Sequence, residues 1–115
     1  MKTILTALIA AGLCFAHTLA QAQQHNSKLS GSVLEPNHQP AIAATVTLLK
    51  AKDSVVVSTT ATNIDGKFVL DKLNAGEYLV SISAIGFEKY YTSPIQLKDS
   101  SAISIPAITL RQSST

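Results

Sequence analysis

The stretch that decides the fold is TNIDGKFVLDKLNAGEYLVSIS, residues 62–83. It contains two turn signals, Asn63-Ile64-Asp65-Gly66 and Asn74-Ala75-Gly76, because Asp-Gly and Gly positions readily adopt the positive φ angles of tight turns. Apolar side chains occupy alternate positions after each turn: Phe68, Leu70, Tyr78, Val80 and Ile82. Two-residue alternation is typical of a strand with one buried face. The stretch therefore predicts a β-hairpin at Asp65-Gly66 and a further strand after Gly76.

The same pattern extends in both directions from this stretch. Further strands are predicted around Leu29–Val33, Thr45–Lys50, Ser54–Thr62, Phe87–Thr92 and Ala102–Leu110. Turn signals separate them every eight to twelve residues, and no segment shows the apolar spacing of an amphipathic helix. About seven half-apolar strands are buried most simply by packing two sheets together. We therefore expect an all-β, seven-stranded antiparallel β-sandwich.

The N-terminus has the three parts of a secretory signal peptide. Met1-Lys2 is positively charged, Thr3–Ala16 is almost wholly apolar, and Ala20 and Ala22 form a small-residue cleavage site. The run is short for a membrane span, which needs about 20 apolar residues. The sequence predicts a helical signal peptide over 1–22, cut after Ala22 or else Ala20. It is followed by a flexible N-terminus (23–27), one domain (28–110) and a polar tail (111–115).

The composition of the mature part narrows the function classes. Cys14 lies inside the apolar run and follows Leu13 rather than a small residue, so we expect no lipid attachment there. No other cysteine occurs, so a mature chain would have no disulfide or thiolate. Eight basic and seven acidic side chains follow residue 22, without a basic cluster. We therefore expect no nucleic-acid partner. An exported chain without disulfides fits a bacterial periplasm or cell surface.

Candidate groups for catalysis or metal binding are few. The histidines of the mature part are His25, in a polar segment, and His38, between two prolines. Neither stands in a pattern typical of a Ser–His–acid hydrolase. The motif at Asp65-Gly66 is similar to the middle of an EF-hand loop, but Ala61 and Lys72 stand where that loop has its end ligands. We expect no catalytic, cofactor or metal-binding residues.

Two adjacent tyrosines, Tyr90 and Tyr91, are the candidate surface-contact residues. Neighbouring residues of a strand point to opposite faces. One of the two is therefore predicted to be exposed, where it would stack on a sugar or contact a partner protein.

An ordered series of motifs is similar to a known family. They are Gly31-Ser32-Val33, Gln39–Leu48, Thr62–Phe68, Leu73–Tyr78 and Val80–Phe87. The region resembles the carboxypeptidase regulatory-like domain, and the resemblance implies a transthyretin (prealbumin)-like Greek-key sandwich. Glu35 departs from the family pattern, which usually has a small polar residue or aspartate before the first turn.

The resemblance also implies a function without chemistry. Such domains flank peptidases or form the periplasmic N-terminal extension of TonB-dependent outer-membrane receptors in Bacteroidetes-type bacteria. A non-catalytic accessory or protein-interaction domain is therefore expected, on the periplasmic side of the outer membrane, with a receptor or another envelope protein as partner. A stand-alone protein and a truncated receptor both remain open.

Two alternatives come from similar folds. A carbohydrate-binding module is the first, with a glycan as partner. The second is an enzyme like the transthyretin-like hydrolases that cleave 5-hydroxyisourate. Those carry histidine and arginine at a tetramer centre and end in a Tyr-Arg-Gly-Ser-type tail, whereas residues 111–115 here read RQSST. We therefore expect no such hydrolysis.

Overall fold

The computed structural model describes residues 26–114, and the predicted signal peptide and His25 lie outside this part. Nine strands make up the described chain, without a helix. They are β1 (Ser27–Leu34), β2 (Thr45–Lys50), β3 (Val56–Ala61), β4 (Lys67–Leu73), β5 (Gly76–Ser83), β6 (Tyr90–Tyr91), β7 (Ile95–Leu97), β8 (Ala102–Ser104) and β9 (Ile108–Thr109). Within 26–114 no helix is long and apolar enough to cross a membrane.

The nine strands occupy seven positions in two sheets. In one sheet β1 lies between β4 and the pair β8 and β9, both of which bind along the other edge of β1. In the other sheet the order is β3-β2-β5, and β6 and β7 both bind the free edge of β5. The all-β sandwich is confirmed. The strand predicted over Ala102–Leu110 is divided into β8 and β9. The outer strand of the other sheet is divided into β6 and β7, of which β7 lies beyond the predicted strand Phe87–Thr92.

Proline explains both divisions. Pro94 separates β6 from β7, and Pro106 separates β8 from β9. A proline has no backbone N–H to donate, so it interrupts a strand and is tolerated at a sheet edge. Of the predicted strand Phe87–Thr92, only Tyr90–Tyr91 is a strand, and a turn at residues 85–86 precedes it.

Two pairings differ from the antiparallel prediction. β8 and β9 run parallel to β1, while the other pairs are antiparallel. Side chains alternate between faces in parallel and antiparallel strands alike. The sequence pattern therefore could not distinguish the two directions.

The predicted inward positions form one core between the sheets. Fifteen buried apolar side chains make it up: Leu29, Val33, Ala41, Ala44, Val46, Leu48, Phe68, Leu70, Leu73, Tyr78, Val80, Ile82, Leu97, Ile108 and Leu110. Burying one leucine or valine side chain contributes about 1.5–3 kcal/mol. Gly31 completes the layer, because the Phe68 ring of the paired strand lies where a Cβ at residue 31 would stand.

The Asn63–Gly66 turn is present, but the predicted hairpin is wrong. β3 and β4 belong to different sheets and do not pair with each other. Gly66 has φ 71° and its amide donates to the Asn63 carbonyl over 2.9 Å. The turn is therefore a corner that moves the chain from one sheet to the other. A turn signal fixes the reversal of the chain and leaves open which strands pair.

The described part of the polar tail is attached to the domain. The amide of Glu88 donates to the Arg111 carbonyl over 2.8 Å, and the amide of Ser113 donates to the Gly86 carbonyl over 3.0 Å. Phe87 and Gln112 form an isolated bridge. Residues 111–113 are thus hydrogen-bonded to the loop after β5.

Candidate interaction surface

Both tyrosines of the predicted contact pair are exposed. Tyr90 is 39% and Tyr91 54% accessible. They form β6, where Tyr90 pairs with Ile82 and Tyr91 with Ser81. Residues paired across two strands share a face, so Tyr90 lies on the inner face with the buried Ile82. The sequence predicts one exposed tyrosine, and the structure has two, because the inner face at this edge is not fully covered.

A lysine lies over the outward tyrosine. The Nζ of Lys89 is 5.4 Å from the centroid of the Tyr91 ring. Such a cation–π contact contributes about 0.5–1 kcal/mol at an exposed site. Lys89 therefore covers part of the Tyr91 ring, whereas the Tyr90 ring faces an open groove.

The groove beside Tyr90 lies between the two divided edges of the sandwich. Its volume is about 260 Å³. It is lined by Tyr90, Thr92, Ser93, Pro94, Ile95, Ile105, Pro106, Ala107 and Ile108. None of these side chains is charged, so the groove suits an apolar or neutral ligand.

Next to Pro94, where the strand is interrupted, Thr92 exchanges two hydrogen bonds with Val80 of β5. The amide of Thr92 donates to the Val80 carbonyl over 2.9 Å, and the Val80 amide donates to the Thr92 Oγ1 over 3.0 Å. The hydroxyl of Thr92 thus replaces the backbone acceptor that a continuous strand would supply. This side chain holds β6, and with it Tyr90, against β5.

Of the groove residues, the sequence predicts only Tyr90 as a candidate contact residue. Pro94 follows the predicted strand Phe87–Thr92, and Pro106 lies inside the predicted strand Ala102–Leu110. The two prolines come together only because β6–β7 and β8–β9 form adjacent edges of opposite sheets. The available signal is Pro106 itself, because a proline inside a predicted strand indicates an edge position or a bulge.

The remaining titratable groups are dispersed. His38 lies in an exposed loop with φ 66°, and its amide donates to the Glu35 carbonyl. The Asn63 Oδ1 accepts the amides of Asp65 and Lys67, so this part of the EF-hand-like motif is engaged within the turn. No group of three or more potential metal ligands (His, Cys, Asp or Glu) occurs within residues 26–114.

Tyr78 is a buried phenol at the start of β5. Burial raises the pKa of its phenol above the ordinary value of 10.0. The hydroxyl donates to the Asn74 carbonyl over 2.8 Å. Tyr78 is therefore a neutral structural group that fixes the turn before β5.

Fold and surface together define a transthyretin-like β-sandwich domain with an uncharged groove at its divided edges. The sequence match identifies the family. The chain belongs to the carboxypeptidase regulatory-like domain family, whose model matches residues 28–111. No curated protein sequence matches the chain.

Solved structures share the fold at low sequence identity. A Streptococcal ancillary pilin matches 76% of this chain with TM-score 0.58 and 14% identity. The Klebsiella pneumoniae 5-hydroxyisourate hydrolase matches 76% with TM-score 0.55 and 18% identity. A type II cohesin–X–dockerin complex from Acetivibrio cellulolyticus matches 75% with TM-score 0.59 and 14% identity.

The match covers very different shares of these structures. It spans 33% of the pilin chain and 58% of the chain from the cohesin complex, against 94% of the hydrolase. The same sandwich thus occurs as one part of larger protein chains and as nearly the whole of a hydrolase. At these identities the likeness establishes the fold alone.

Proposed function

We propose that the chain is a non-catalytic accessory domain of the bacterial cell envelope that binds a protein through the groove beside Tyr90. The observation that carries this proposal is the groove itself, which brings an exposed tyrosine, two prolines and several aliphatic side chains together without a charge. Aromatic side chains are enriched at protein interfaces because they supply rigid apolar area with a polar end.

The occupant that fits is an extended apolar segment of an envelope protein. A neutral groove gives no electrostatic recognition to a phosphate, a nucleic acid or an acidic peptide. The groove also runs between the divided β6–β7 and β8–β9 edges, where an extended segment would contact aliphatic side chains and Tyr90. The pilin and the cohesin complex, which share the fold, are proteins of assemblies.

Location at the periplasmic side of the outer membrane is part of the proposal. It rests on the predicted signal peptide of residues 1–22 and on the resemblance to receptor extensions. N-terminal sequencing of the exported protein tests it, with a start at residue 23 or 21 expected. A chain that keeps Met1 inside the cell would contradict it.

A glycan is the second candidate ligand. The exposure of both Tyr90 and Tyr91 supports it, since aromatic rings stack on sugar rings, although Lys89 covers Tyr91. The hydrolase alternative receives less support, because His38 lies in an exposed loop and no group of three or more potential metal ligands (His, Cys, Asp or Glu) occurs within 26–114.

A titration with two panels distinguishes these candidates. Ten-residue peptides rich in proline and aliphatic residues, and neutral oligosaccharides, are added separately while amide NMR shifts are recorded. The proposal predicts that peptides shift signals of Tyr90, Ile95 and Ile108, and that Tyr90→Ala removes the effect. Shifts at Tyr90 and Tyr91 with oligosaccharides alone would favour the glycan-binding module and contradict protein recognition.

A further inference from the structure

Three isoleucines are exposed at the tips of turns. Ile42, Ile64 and Ile85 are each the first residue of a turn, at 42–43, 64–65 and 85–86. They are 61%, 75% and 101% accessible. Such positions are usually occupied by Gly, Pro, Asn, Asp or Ser, which fit the backbone of a turn or bond to it. Turn formation therefore does not account for three isoleucines there.

The three turns lie together at one end of the β3-β2-β5 sheet. Thr45, the first residue of β2, pairs with Ala61 of β3 and with Ser83 of β5. The first turn precedes β2, and the other two follow β3 and β5. Neighbouring strands are about 4.8 Å apart, so the turns begin within about 10 Å of one another. We call this group the isoleucine rim (Ile42, Ile64 and Ile85).

The turns at the opposite end of the same sheet are polar. The turn between β2 and β3 contains Lys52 and Asp53, and Asn74 precedes β5. Val55 is exposed at that end, but it lies outside the turn. Single apolar side chains on a surface are ordinary, whereas several gathered together mark an interaction surface. The uneven distribution therefore indicates that the rim contacts an apolar medium or partner.

We propose that the isoleucine rim inserts into the surface of a lipid bilayer and docks this end of the domain on a membrane. The isoleucines stand on three separate turns. A protein partner would need a pocket for each tip, whereas a fluid lipid surface accommodates all three. None of the three lines the groove beside Tyr90, so this docking is independent of the proposed function.

The charges around the rim favour a neutral lipid surface. The connections 35–44, 62–67 and 84–89 and the tail 111–114 contain three acidic and three basic side chains, which sum to zero. They are Glu35, Asp65, Glu88, Lys67, Lys89 and Arg111. A surface without net charge does not attract polyanions. Binding to zwitterionic lipid depends on apolar burial instead, while lysine and arginine side chains reach the headgroups.

Sedimentation with phosphatidylcholine vesicles tests the proposal, using protein that the cell has exported and cut from its leader. The wild type should sediment with the vesicles at low and high salt, because apolar burial is not screened. The triple variant Ile42→Ser, Ile64→Ser, Ile85→Ser should partition into vesicles at least ~100-fold less, or about 5-fold per side chain. Val55→Ser changes a valine that is 51% accessible at the opposite end and should bind like the wild type.

A probe at a single position locates the contact independently. The chain has no cysteine after residue 22, so Ile64→Cys carries one label, and Val55→Cys is the matched control. On vesicles, the label at position 64 should become protected from a water-soluble quencher, and the label at position 55 should stay accessible.

Three results would overturn the proposal. The first is wild-type protein that stays in solution, and the second is a triple variant that binds vesicles as well as the wild type. The third is a label at position 64 that remains accessible on vesicles. A defined protein adduct from a photoreactive residue at position 64, without vesicle binding, would replace the membrane by a protein partner.

Discussion

The amide of Val33 donates to the carbonyl of Gly66 over 2.7 Å, while the Val33 carbonyl oxygen lies 2.5 Å from the point where a Cβ on residue 66 would stand. This contact joins the end of β1 to the corner that carries the chain between the sheets. Gly66 is thus required for space as well as for its φ of 71°.

Gly66→Ala should lower the free energy of unfolding by about 2–4 kcal/mol, because strain in the left-handed region is added to a clash with backbone. Urea unfolding followed by circular dichroism measures this. Gly86→Ala is the matched control, since Gly86 has φ 89° but no atom within 4 Å of its added Cβ. Gly86→Ala should lower the free energy of unfolding by only about 1–2 kcal/mol. Equal losses in the two variants would show that the Val33 contact is unimportant.

The buried hydroxyl of Thr62 fixes the loop before β2. It donates to the Ala41 carbonyl and accepts the Ala44 amide over 2.8 Å. Thr62→Val keeps the shape but leaves both backbone groups without this partner, so the free energy of unfolding should fall by about 1–3 kcal/mol. Thr62→Ser retains the hydroxyl and should lose less. If valine proves as stable as serine, these hydrogen bonds do not stabilise the loop.

Tyr78 should make stability depend on alkaline pH. Its pKa is raised in the folded state, so its contribution is complete below the unfolded value of about 10 and is lost as pH rises through the folded pKa. Tyr78→Phe should be less stable at neutral pH by about 1 kcal/mol, through loss of the bond to Asn74. The wild-type advantage should shrink above pH 10.

The urea unfolding midpoints of the wild type and of Tyr78→Phe, measured from pH 7 to above pH 10, provide the test. Tyr91→Phe removes an exposed hydroxyl and should change stability by less than about 0.5 kcal/mol. A constant difference between wild type and Tyr78→Phe across the range would contradict the assignment.

The sequence predicted those features that depend on side-chain period. Val46, Val80 and Ile82 alternate with polar residues and are all buried. Period alone carries no information on which strands pair or in which direction. The sequence therefore predicts a hairpin where Gly66 forms a corner, and it does not predict the parallel direction of β8 and β9.

The candidate surface was predictable only in part. Tyr90 and Tyr91 are predictable as candidates because adjacent residues of a strand point to opposite faces, so that one of the two side chains faces outward. Their joint exposure depends on the divided edges, where Pro94 and Pro106 leave the inner face open. Such proximity between segments distant in sequence follows from the topology of the two sheets, which local patterns do not encode.

The central claim is that the groove beside Tyr90 binds a protein. Site-specific photo-cross-linking in cells that make the full chain tests this most directly, with the photoreactive residue at position 90 and, as control, at the fully exposed position 85. The account predicts a defined protein adduct from position 90 that is absent from position 85. Identical adducts at both positions, or none at position 90, would contradict it.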